Sequence, residues 1–85
     1  MMNQEKLKEM VKMMHAYITD IVFLKSLFEL FSSDEEVNEM INFMNTHDEL
    51  TKYDINTEAY SITMRKHGID IPGYEECRKI KEAAQ

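Results

Sequence analysis

Few side chains in this sequence could carry chemistry: His15, His47, His67, Cys77 and a set of carboxylates. Zinc needs three or four converging ligands, and sites of local origin show CxxC or HExxH spacing. Neither spacing occurs, and His47-Asp48 is an isolated dipeptide, so no metal or other cofactor is expected. Asp54, Asn56 and Glu58 imitate the opening of an EF-hand loop. Ala59 then stands where Gly is required and Arg65 where the bidentate Glu belongs, which excludes calcium by that route. A nucleophile needs an oriented base beside it. Cys77 falls on the apolar face of a predicted helix, where a cysteine behaves as a small core residue. Paired carboxylates work as acid and base only when one is buried, and the acids of 34–39 read as a solvated run. With 2 Gly there is no loop to cradle phosphate, and an 85-residue chain has little room for a cleft. The expectation is a chain without a catalytic centre.

The elements that would position these groups are helical. Only 2 Gly and 1 Pro are present, too few for the turns of an all-β fold. Leu7, Met10, Met14, Tyr17, Ile21, Leu24, Phe28 and Phe31 recur at spacings of three and four, an a/d register. Val11 and Ile18 widen the stripe, and Val22, Phe23, Leu27 and Leu30 make the second half apolar nearly all round. The spacing predicts one long N-terminal helix over 3–31. It would be about 43 Å long, whereas a compact chain of this size has a radius of gyration of about 12 Å. The competing reading is a break at Thr19-Asp20, with Asp20 capping a second helix.

Ser33 with Glu36 is a capping-box pattern. It opens a helix carrying Val37, Met40, Ile41 and Met44 to about Thr46, antiparallel to the end of the first. Residues 48–56 predict a turn or two of helix from Asp48, and Asn56 predicts a cap for a third helix stopping at Gly68. Against that helix, Tyr60, Ile62 and Met64 alternate with Ser61 and Thr63 as in a strand, which allows a short β-hairpin over 60–71. A last amphipathic helix carries Tyr74, Cys77 and Ile80. The expected architecture is a single all-α domain, 1–85: a small helical bundle with a long N-terminal helix, an antiparallel second helix and two shorter C-terminal ones.

The net charge of −6 is unevenly spread. Residues 32–58 hold eight acids against Lys52 alone, while 1–31 balance to zero and 59–85 to +1. Asp34, Glu35, Glu36, Glu39, Asp48, Glu49 and Asp54 would make an acidic face suited to a basic partner surface, the work of a small inhibitor or adaptor. Nucleic-acid binding is unfavourable there. A DNA-binding regulator would have to use Arg65, Lys66, Arg78, Lys79 and Lys81 on the last two helices, with a link longer than a helix-turn-helix allows. Ile18 to Phe31, the greasiest run, is too short and too charged for a membrane span. The absence of a secretory h-region and the single cysteine lead to a cytoplasmic expectation.

A stripe that long is hard for the remaining residues to cover. The expected function is therefore protein–protein interaction. The chain would self-associate as a two-fold homodimer through Met14, Tyr17, Ile21, Leu24, Phe28 and Phe31. Eight methionines fit either an adaptable surface or an irregular core.

Overall fold

Asp20 decides the architecture. In the computed structural model, which describes residues 2–84, the first helix stops early and a second begins at this aspartate. Helix α1 spans Gln4–His15 and α2 spans Ile21–Phe28. The Asp20 carboxylate accepts from the N–H groups of Val22 and Phe23, at 3.0 and 3.1 Å. Two of the otherwise orphaned amides of a new helix are thereby satisfied. Ile18, in the joint, is fully buried and anchors the reversal. The long N-terminal helix is thus corrected to a helical hairpin. Folding back brings Leu7, Met10 and Met14 into the same core as Leu24, Leu27 and Phe31. A straight rod would have left that apolar surface in water.

Helix α3, Asp34–Thr46, is capped by Ser33. It packs chiefly on α1. Asn3 N–H donates to Asp34 at 2.6 Å and the Lys6 ammonium to Asn38 at 2.8 Å, so α1 and α3 run parallel. Because α2 is the return stroke between them, α3 keeps the expected antiparallel direction relative to the end of the first stripe, while its main packing is the parallel one on α1. The expected box at Ser33 is also altered, because the Glu36 carboxylate takes the hydroxyls of Ser32 and Ser33 instead of a backbone amide.

Helix α4 spans Lys52–Arg65 without interruption. Thr51 and Asp54 form a reciprocal capping box, so Asn56 lies inside the helix and caps nothing. The Glu35–Lys66 and Glu39–Arg65 pairs set α4 antiparallel to α3. Residues 60–65 are helical and no strand occurs among the described residues. The alternation that resembled a hairpin arises because Ser61 and Thr63 are buried along with Ile62. Thr63 donates back to the Ala59 carbonyl at 3.0 Å, and Ser61 donates across to the Ile71 carbonyl at 2.9 Å. Both hydroxyls are therefore buried with their hydrogen bonds made. Gly68, at φ 76°, ends the helix, with Ile69 N–H bonded to the Met64 carbonyl as in a Schellman turn.

Helix α5, Tyr74–Ala83, buries no residue fully. Its first turn is held by α4: Glu58 accepts from Tyr74 N–H at 2.9 Å. A Cβ at Gly73 would come within 2.7 Å of that same Glu58 oxygen, so a side chain there would push the carboxylate off Tyr74 N–H. The five helices of the described residues form one small bundle with extents of 42 × 30 × 23 Å.

Candidate functional site

Among the described residues, no three His, Cys, Asp or Glu side chains are grouped as metal ligands. Cys77 is half-buried and borders two surface clefts. One is lined by Tyr53, Asp54, Thr57, Tyr74, Arg78 and Lys81 as well, and neither is lined by a histidine. No histidine accompanies the thiol in either cleft, and it occupies the edge of the core instead of the expected interior.

His47 caps α3 and is the most elaborately held histidine. Its ring packs on Phe43 and against the edge of Tyr74, at centroid distances of 4.6 and 5.2 Å. Nδ1 lies 2.9 Å from the Phe43 carbonyl and Nε2 lies 3.0 Å from a Glu75 oxygen. Both partners are acceptors, so only the imidazolium can donate to both. The Phe43 carbonyl is the chief cause of a pKa raised above 6.5, with Glu75 and Glu58 adding to it and partial burial opposing. A raised value means that the stabilisation is complete below pH 6.5 and is lost as pH rises through the folded-state value. The thermal midpoint should fall over that window, and His47→Gln should remove the fall. The NMR titration of the ring should show a midpoint above 6.5 that drops in Glu75→Gln. A midpoint at or below 6.5 would remove this link between α3 and α5.

The acids expected to form one face are dispersed in their uses. Glu36 is 2% exposed, so it is corrected out of any surface. Glu35 pairs with Lys66, which lowers the Glu35 pKa, and Glu39 lies 4.0 Å from Arg65. Asp34 and Asp54 accept from the backbone amides of Asn3 and Thr51. Asp48 and Glu49 remain exposed in the turn after α3. The same pairings occupy Arg65 and Lys66, and Arg78 meets Glu82 at 3.3 Å, so these three cations already face carboxylates.

The six residues of the expected self-association stripe divide. Met14, Leu24 and Phe31 are buried within the single chain and cannot meet a partner directly. Tyr17 and Phe28 are half-buried, and Ile21 is 61% exposed. Val22, outside that set, is 79% exposed, the largest such value among the big apolar side chains. Beside Ile21, α1 and α2 leave an apolar groove. One section, about 280 Å³, is lined by Val11, Ile21, Leu24, Lys25 and Phe28. It adjoins a section of about 430 Å³ lined by Gln4, Leu7, Lys8, Val11, Lys12, His15 and Phe28. Val11 and Val22 were visible in the sequence as additions that widened the stripe. Their role became legible only once α1 and α2 separated.

The fold thus defines a small five-helix bundle with a parallel α1–α3 seam, and its most distinctive surface is apolar. No protein-family model, curated protein or solved structure matches the chain. No helix of the described residues is long and apolar enough to cross a membrane.

Proposed function

We propose that this chain is a small non-enzymatic protein–protein interaction module, with the apolar strip along α1 and α2 as its working surface. One observation carries the reading. Ile21 and Val22, adjacent at the start of α2, stand 61 and 79% exposed, and Ile21 lines an apolar groove. Scattered single apolar residues need no explanation, but contiguous apolar surface marks an interaction site.

Self-association is the simplest use of that edge. In a two-fold contact each copy would cover Ile21 and Val22 of the other. Light scattering over a concentration series should then give twice the chain mass at high concentration. Val22→Asp should return the mass of one chain with an unchanged circular dichroism spectrum, since the position is solvated and its backbone is not strained. A wild-type chain that stays single-copy at the highest concentration overturns self-association.

A further inference from the structure

We infer that the α1–α2 groove receives an amphipathic helix of a different protein, with acidic residues flanking its apolar stripe. The inference rests on the proposal that this strip is a docking surface, and it names the occupant. Leu7, Val11, Leu24 and Phe28 supply an apolar lining, and the ionisable residues beside them are Lys8, Lys12, Lys25 and His15. No carboxylate lines either section, although the chain carries 16 acids against 10 basic residues. Glu5 and Glu9 lie on the far side of Lys8 and Lys12, on an adjoining shallow surface that shares those two lysines with the groove and also bears Lys6. The cationic rim is therefore a local reversal of the molecule's net charge.

The dimensions suit a helix. The α1 wall runs from Gln4 to His15, about 16 Å at the α-helical rise, which is three turns of an apposed helix. Apolar anchors at i, i+3, i+4 and i+7 would fill the floor. Carboxylates on either side would meet Lys8 and Lys12 on one wall and Lys25 on the other. A second copy fits the groove less well. A two-fold contact centred there would set each copy's lysines against those of its partner, and like charges at an interface suppress pairing. The Ile21–Val22 edge can still meet its own copy, because it lies at the end of the groove.

The test uses the full chain at low micromolar concentration and a designed peptide of about four helical turns. The peptide bears a leucine stripe flanked by glutamates, and its control carries lysines at the same flanking positions. The acidic peptide should shift the NMR signals of Val11, Leu24 and Phe28 and bind at least about tenfold more tightly than the control. Added salt should narrow that margin. The triple variant Lys8→Glu, Lys12→Glu, Lys25→Glu, exposed at all three sites, should prefer the lysine peptide while keeping its helical content. Equal binding of both peptides, or shifts confined to other helices, overturns the inference. If neither peptide acts but the strip signals move when the protein alone is concentrated, the occupant is a second copy and only this inference fails. If nothing moves them, the docking proposal fails as well.

Discussion

Leu24→Asp should leave no folded protein at room temperature, whereas Ile21→Asp, one turn away, should fold with nearly wild-type stability. Leu24 is 6% exposed and belongs to the core shared by α1, α2 and α3. A carboxylate there loses its hydration without gaining a partner, a cost of several kcal/mol. A chain of this length has a total stability of about 4–13 kcal/mol. Ile21 is 61% exposed, and surface substitutions usually change stability by no more than about 0.5 kcal/mol. An added acid in the first turn of α2 also meets the positive end of its dipole. Urea denaturation followed by circular dichroism separates the two. Both positions lie on α2, three apart, so the contrast comes from how α2 packs back on α1, which encloses Leu24 and leaves Ile21 in water. Similar losses in both variants would therefore contradict this packing of α2 on α1.

The helical class and most helix ends were legible because local signals decide them. Ser33 as a cap, Gly68 as a stop and the final amphipathic segment each rest on chemistry within a turn of the residue concerned. The topology was not legible. The apolar stripe of α1 and α2 keeps its three–four rhythm straight through Thr19, so periodicity favours a rod. Only the burial gained by turning back onto α1 makes the Asp20 cap win. The same limit explains Ser61 and Thr63. Polar residues in a helical pattern read as outward-facing, yet here their hydroxyls are satisfied by the Ile71 and Ala59 carbonyls. Thr63 finds its acceptor one turn back on its own helix, a local bond that no pattern of polarity announces. Ser61 finds its acceptor ten residues on, across a turn that the sequence does not orient.

The candidate surface was legible in part for a related reason. The excess of apolar residues over what so short a chain can bury is visible in composition and spacing. Which of them remain outside depends on the crossing of α1 and α2. Half of the expected stripe is spent on the core, and Val22 and Val11 take its place at the surface. Acidity misled in the other direction. A run of carboxylates in sequence suggests one continuous face. Folding instead assigns Glu36 to the hydroxyls of Ser32 and Ser33, Glu35 and Glu39 to cations at the end of α4, and Asp54 to a cap.

Met40→Ala should cost about 2–4 kcal/mol, as truncation of a fully enclosed methionine does elsewhere, and Met40→Leu should cost less than about 1.5. Met40, like Met10 and Met14, has no exposed surface, and all three belong to the core between α1 and α3. The methionines of this seam are thus filling matter for two helices that run parallel, their flexible stems matching an irregular gap. The expected signature is a lower urea midpoint with an unchanged slope, since the surface exposed on unfolding barely alters. Met13, only partly buried at the margin of the same seam, should tolerate alanine with a smaller loss. The contrast matters for function. If Met40→Ala were as mild as Met13→Ala, the α1–α3 seam would be loosely packed, and its methionines would be free to repack around a partner. A large loss at Met40 with a small one at Met13 assigns the methionines to the interior. Adaptability at the surface would then fall to Val11, Ile21, Val22 and Phe28, where binding should be sought.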